Sequence, residues 1–224
     1  VCVRTDSGRA LVAYIEQQQK ENELPSPAEA IPPAEKVETN EKLLRYGTHL
    51  EQYRHATWDA MAYYREGLRR DPNDVRLNVA CAKLMMKRGL VEESESYLRC
   101  AVASATEKNP NPYDGECFYQ LGVMLALTGR DEEAYDAFYK SAWNGAWQNA
   151  AYYHLGCIAM RRGEDESALA HLTVAIERNA RDILACNAKI VLLRRMGKKD
   201  EAKALAEQTL KVDPLDAIAR REYE

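Results

Sequence analysis

The residues able to do covalent or metal chemistry are few and scattered. Six cysteines, Cys2, Cys81, Cys100, Cys117, Cys157 and Cys186, include no CxxC or other close pair, the spacing that a redox dithiol or a zinc site needs. The four histidines, His49, His55, His154 and His171, show no HExxH spacing, in which two imidazoles one helical turn apart face one ion. No GxGxxG, P-loop, GxSxG or nucleophile-base pattern occurs. Five of the cysteines fall within predicted helices, and Cys157 and Cys186 sit on apolar faces. Small thiols of that kind pack as apolar groups in a reducing compartment, so a cytoplasmic location is expected. No catalytic residue, metal ligand or cofactor is assigned to the chain.

Recognition chemistry remains, and two irregular stretches carry the most distinctive residues for it. NPNPYDGE places Asn109, Asn111, Tyr113 and Asp114 in one loop, and SAWNGAWQNA places Trp143 and Trp147 at the tail of a predicted helix and the turn after it. A long loop often lines a binding side, and two exposed indoles could dock another domain. The opposing readings are a spacer that sets the angle between two helical units, and tryptophans that pack between units.

Composition narrows the partners. The chain has 224 residues, with 31 basic against 35 acidic side chains and a net charge of −4. A general attraction to nucleic acid or anionic lipid is therefore not expected. No apolar run reaches the roughly 18 residues that cross a bilayer, and VCVRTDSGRALVAYI lacks the basic and apolar regions of a secretory signal. Val1 stands where an initiator Met would, which suggests a segment of a longer protein.

The elements that position these residues recur. In Phe118–Ser141, FYQLGVMLALTGRDEEAYDAFYKS, the residues Leu121, Gly122, Gly129, Ala134 and Phe138 are answered by Leu155, Gly156, Gly163, Ala168 and Leu172. The interval is the same for every pair (155 − 121 = 34). A fixed period of this size means stacked helical hairpins, because one hairpin alone cannot bury its apolar face. Gly122 and Gly156 on first helices, and Ala134 and Ala168 on second helices, allow close approach. Gly129, Gly163 and Gly197 supply left-handed C-caps.

The spacing divides the chain. Residues 1–24 read as a β-hairpin or extended segment, with Asp6-Ser7-Gly8 as the turn, followed by the polar run QQQKENE. Residues 25–40, PSPAEAIPPAEKVETN, are a Pro-rich linker, and Thr39 or Asn40 caps a helix from Glu41. Helical units follow at about 41–74, 75–114, 115–148, 149–182 and 183–216, then a capping end. Unit one is one residue out of phase around His55–Trp58. The step from Gly89 to Gly129 exceeds the period by six positions, which puts a six-residue insertion in EKNPNPYDGE, where Asn111 or Asp114 caps the next helix.

With those residues in place, 41–224 resembles the tetratricopeptide repeat family, whose pattern is an aromatic, Leu-Gly, an aromatic, then Ala, Phe, Ala and Pro. Phe118 and Tyr152 take the leading aromatic position, and Pro72 and Pro214 the terminal proline. Units two and five depart from the pattern, with Cys81-Ala82 and Lys189-Ile190 in place of Leu-Gly. The resemblance implies an all-α solenoid of about five hairpins. More narrowly, YGTHLEQYRHAT, REGLRRDPND, NPNPYDGE, YDAFYKSAWNGAWQNAAY and TLKVDPLD are similar to the C-terminal helical region of large bacterial proteins. In those proteins a galactose-mutarotase-like β-sandwich of uncharacterised function precedes the repeats. Residues 1–24 would then be the end of that sandwich.

The family resemblance also implies a concave groove lined by the second, fifth, ninth and twelfth residues of each first helix. Its polar and aromatic members here are Arg76, Lys83, Glu116, Tyr119, Tyr153, Asn187 and Arg194, with Val79, Met86, Val123, Ala126, Ala150, Cys157, Met160, Leu184 and Val191 between them. The paired Lys and Asn residues that hold acidic chain termini in some members are absent. The expectation is an interaction scaffold that docks a protein partner, or an upstream domain of the same polypeptide, in the groove. The alternative is an accessory part of a carbohydrate-processing enzyme whose catalytic sandwich lies upstream of residue 1. A third reading is self-association into a homo-oligomer through the uncapped first unit and the hairpin. No nucleic-acid or membrane partner is expected.

Overall fold

The computed structural model describes residues 1–15, 27, 30–53 and 57–223. QQQKENE, most of the Pro-rich segment before Ala30, and His55 lie outside them. The chain forms two parts, Val1–Pro32 and Pro33–Glu224. In the first, β1 (Cys2–Arg4) and β2 (Ala10–Ala13) pair antiparallel, with Cys2 opposite Ala13 and Val3 opposite Val12. The turn closes through Thr5, whose carbonyl accepts from the Gly8 N–H and whose N–H donates to the Arg9 carbonyl. Gly8 takes φ 84°, a left-handed value that costs glycine nothing. The Asp6-Ser7-Gly8 hairpin is present.

The second part is helical. Its helices are α1 (Asn40–Gln52), α2 (Ala60–Arg70), α3 (Val75–Lys87), α4 (Glu95–Thr106), α5 (Glu116–Leu127) and α6 (Asp131–Ser141). After them come α7 (Gln148–Arg162), α8 (Asp165–Arg178), α9 (Ile183–Arg195), α10 (Lys199–Val212) and α11 (Ala217–Tyr223). Consecutive helices pair as five hairpins, and α11 covers the end of the array against α9 and α10. Side-chain oxygens of Thr39, Asp59, Asp74, Asp182 and Asp216 accept from first-turn amides of α1, α2, α3, α9 and α11, satisfying donors that a helix start leaves orphaned. The end of the Pro-rich segment is packed on the array. Ala34 and Val37 are buried, and Arg70 Nη1 donates to the Val37 carbonyl at 2.7 Å while its Nε meets Glu66.

The fixed period has a physical basis in the intra-unit turns. Gly89, Gly129, Gly163 and Gly197 all take φ between 76° and 80°. Each is followed by an amide that reaches back to the preceding helix: Leu90 to Met85, Arg130 to Leu125, Glu164 to Ala159, and Lys198 to Leu193. This capping pattern needs a left-handed residue at the turn.

Within each hairpin one small and one large residue face each other. A Cβ on Gly122 would lie 2.7 Å from Phe138 Cδ1, and one on Gly156 would lie 2.7 Å from Leu172 Cγ. Phe138 and Leu172 are fully buried and cannot yield. Gly47 meets the Tyr64 ring in the same way, with one more residue between the two than separates Gly122 from Phe138. The extra residue of unit one therefore falls between α1 and α2. Ala82 and Leu98 repeat the arrangement in unit two. Unit five inverts it, with Ile190 on the first helix and Ala206 on the second, so the summed volume is kept and the non-matching Lys189-Ile190 pair still packs.

Two inter-unit connections break the regularity. The loop before α5 spans 107–115, the site of the predicted insertion. The other follows α6, which ends at Ser141, almost one helical turn sooner after its turn glycine Gly129 than α8 and α10 end after Gly163 and Gly197. Trp143 accordingly lies in the turn 142–147 and not on the helix tail.

Candidate functional site

The first helices α1, α3, α5, α7, α9 and α11 form the inner face, with contacts between α1 and α3, α3 and α5, α7 and α9, and α9 and α11. Its N-terminal half is a hollow of 410 Å³ that includes Arg76, Lys83, Lys87, Glu51 and Glu116. These charges meet one another across units: Arg76 pairs with Glu41 at 2.5 Å, Lys83 with Glu116 at 2.8 Å, and Lys87 with Glu51 at 2.9 Å. The Arg76 guanidinium holds the Glu41 carboxyl below the usual range. Glu51 also accepts from Tyr64 Oη at 2.6 Å. Arg76, Lys83 and Glu116 thus line one hollow, each already holding a partner.

At the middle, Tyr119 is packed between units. Its ring stacks on Trp147 at 4.8 Å between centroids, and its hydroxyl lies 3.3 Å from His154 Nε2. His154 in turn lies parallel to Phe138 at 4.5 Å. Burial pushes the His154 pKa down to about 4, because removal from water disfavours the imidazolium, so the ring is neutral at pH 7. A similar contact joins Tyr135 Oη and His171 Nε2 at 3.0 Å, where burial also lowers the His171 pKa.

The C-terminal half is mainly apolar, although Arg161, paired with Asp131 at 2.8 Å, also lines it. Tyr153, Cys157, Met160, Leu184, Val191 and Ile218 surround a recess of 360 Å³, in which Leu184 is 64%, Val191 45% and Ile218 43% exposed. Burial pushes the Tyr153 hydroxyl up to about 12. Asn187 is turned inward at 7% exposure. Its Nδ2 donates to Asp216 Oδ2 at 2.7 Å, which ties α9 to the start of α11, while its Oδ1 is buried with no partner among the described residues. Arg194 pairs with Glu222 at 2.9 Å. Ile218 has no counterpart in the sequence reading, since it belongs to the capping helix and not to a repeat.

A separate cleft of 710 Å³ opens at the edge of the array, between the loop 107–115 and the turn 142–147. Asn111, Tyr113 and Asp114 line one wall and Trp143 the other, with Lys140 and Asn144 beside them and Phe118 in contact. Four hydrogen bonds tie the walls. Asn144 Nδ2 donates to the Tyr113 carbonyl, Lys140 Nζ to Asn111 Oδ1, Ser141 Oγ to the Gly115 carbonyl at 3.1 Å, and Trp147 Nε1 to Asp114 Oδ1 at 3.1 Å. Asp114 Oδ1 also accepts from the Glu116 N–H at 3.0 Å, but the N-cap of α5 is Gly115, so neither Asn111 nor Asp114 takes the capping position expected of it. Asn109 Oδ1 accepts from the Asn111 N–H at 2.9 Å, which shapes the loop. Lys140 and Asn144 escaped the sequence reading, although each stands three or fewer residues from Trp143.

Two of the buried thiols are set against nucleophilic chemistry. Burial pushes Cys81 up to about 12 and Cys117 up to about 11, leaving both protonated and inert. Among the described residues no group of three His, Cys, Asp or Glu stands close enough to hold a metal ion.

The fold defined by these hairpins is a tetratricopeptide-type α-solenoid. A tetratricopeptide repeat family model matches residues 187–223. Among solved structures, pilF of Pseudomonas aeruginosa is similar at a TM-score of 0.70 and 16% identity, over 80% of this chain and 79% of that one. A MamA protein is similar at 0.63 and 22% identity, over 78% and 92% of the two chains. YrrB, described as a TPR protein with an unusual peptide-binding site, is similar at 0.63 and 15% identity, over 81% and 90%. At these identities the likeness is one of fold. Among the described residues no helix is long and apolar enough to cross a membrane.

Proposed function

We propose that this chain is a non-catalytic docking module that holds an apolar protein segment in the C-terminal half of its inner face. The segment is supplied by a separate protein or by a domain upstream in the same polypeptide. The observation that carries the reading is the recess of Tyr153, Cys157, Met160, Leu184, Val191 and Ile218, whose aliphatic members stand exposed on a rigid wall of helices. An amphipathic segment laid there buries apolar area on both sides, which is the main favourable term in such association. The N-terminal half offers no such gain, because its charges are already paired.

The test uses peptides selected on the wild-type chain from a display library. Leu184→Asp combined with Val191→Asp lowers their affinity on the order of 100-fold, since an unpaired carboxylate must then leave water. Ala80→Asp, in the N-terminal hollow, changes affinity less than about threefold, as expected of a solvated charge. Circular dichroism stays unchanged in both. Equal losses in the two halves, or none in either, would defeat the reading.

A further inference from the structure

We propose that the edge cleft is a second binding site, separate from the inner face, for an extended peptide segment carrying a carboxylate next to an aromatic ring. Both of its walls are departures from the repeat: the insertion in 107–115, and the turn 142–147 that takes the place of the last turn of α6. They lie about one repeat apart in sequence and meet because α5 and α6 run antiparallel and return the chain to the same edge. The four cross-wall hydrogen bonds hold the cleft open without a ligand, so little ordering cost remains for binding. Its 710 Å³ falls within the range of ligand-sized pockets.

A mere spacer would satisfy its backbone and bury its rings. Here the polar groups are satisfied inward while the rings are left outward, Tyr113 at 96% and Trp143 at 63% exposure. Rings held at a rim by fixed backbone give stacking area at low entropic cost. The charge pattern then selects the ligand. Lys140 Nζ lies 4.4 Å from the Trp143 ring centroid and donates to the Asn111 amide oxygen. Among the described residues it meets no carboxylate, whereas Lys83 and Lys87 on the inner face are both paired. Asp114, the acid in the same cleft, already accepts from the first turn of α5 and from Trp147. Among the described residues the cleft therefore presents one cation without an ion-pair partner beside two flat apolar faces, while the Asp114 carboxylate of the same cleft is turned to two neutral N–H donors. A nucleic-acid backbone would need several such cations to displace its counterions, and the net charge of the chain is −4. A single acidic group flanking an aromatic residue fits both features.

The experiment follows the three indole N–H signals of the full chain, from Trp58, Trp143 and Trp147, by heteronuclear NMR, with Trp143→Phe used for assignment. N-acetyl-tryptophan, which carries the carboxylate, moves the Trp143 signal to saturation and binds about three- to fivefold more tightly than N-acetyl-tryptophanamide, the worth of one exposed ion pair. Lys140→Gln removes that preference and Trp143→Ala removes binding. The paired Leu184→Asp and Val191→Asp changes leave the titration as in wild type, so failure at the inner face and failure at the cleft can be told apart. Equal binding of acid and amide would overturn the proposal, as would a preference that survives Lys140→Gln. So would a response to methyl glucoside or a short oligonucleotide in place of the tryptophan derivatives.

Discussion

Unit two and unit five place different chemistry at the same positions of their first helices. Six and thirteen residues before the turn glycine, unit two carries Lys83 and Arg76, each holding a carboxylate of a neighbouring unit. Unit five carries Val191 and Leu184 there, both exposed. Exposed ion pairs contribute about 0–1 kcal/mol each, so the charged half gains little stability from them. What they do is occupy Arg76, Lys83, Lys87, Glu51 and Glu116 of the hollow, so that a partner reaching for these charges would have to break the pairs first. Full burial of a Val or Leu side chain is worth about 1.5–3 kcal/mol. Equivalent positions in one array are thus closed at one end and open at the other.

The strongest way to break that comparison is at the layer between the halves. Phe138, fully buried against Gly122 and His154, should cost about 3–5 kcal/mol on truncation to Ala, from lost burial plus the cavity left behind. Stacked units share stability only through their interfaces. Urea unfolding of Phe138→Ala should therefore resolve into two steps, one for each half. A single transition with a loss below about 1 kcal/mol would show that the halves are not joined through this ring.

A smaller effect sharpens the same boundary through pH. The folded-state pKa of His154 is depressed to about 4 from 6.5, so the unfolded chain binds its proton first as pH falls. The contribution of the neutral ring is fully present above pH 6.5 and is lost as pH drops through 4. About 1–2 kcal/mol should disappear between pH 7 and pH 4, allowing for the partial exposure of the ring. Unfolding free energies measured over that window should fall less steeply in His154→Gln. An identical slope would place the titration elsewhere.

The smallest effect belongs to the charged half itself. A double-mutant cycle of Lys83→Met with Glu116→Gln should give a coupling of less than about 1 kcal/mol that vanishes near 1 M salt, where screening acts over about 3 Å. A salt-resistant coupling above about 2 kcal/mol would mean that the pair holds the array together.

Much of this fold was legible in the residues, and the reasons are particular. Gly122 with Phe138 and Gly156 with Leu172 recur at one interval because close helix approach admits no Cβ there, so units three and four announce themselves. Unit five lacks the Leu-Gly pair, since Ile190 and Ala206 exchange sizes, and was placed by the phase of Gly197 instead; the family model matches there, at 187–223. The edge cleft was half visible. Both walls stood out as irregular, but that Lys140, Asn111, Asn144 and Tyr113 meet depends on where antiparallel helices return the chain. Tyr119 was placed in the groove by its repeat position, whereas the turn folds Trp147 back onto its ring, a contact that no local pattern encodes.

The exchanged pair Ile190 and Ala206 sets a limit on how such a chain can be recombined. A whole hairpin carries both members of its size pair and can be transplanted or duplicated with its interior intact. A single helix cannot. Grafting α9 in the place of α7 would set Ile190 against Leu172, two large residues where one fits, and grafting α7 in the place of α9 would set Gly156 against Ala206 and leave a void. The hairpin is therefore the smallest piece of this chain that duplication or shuffling can pass on unbroken.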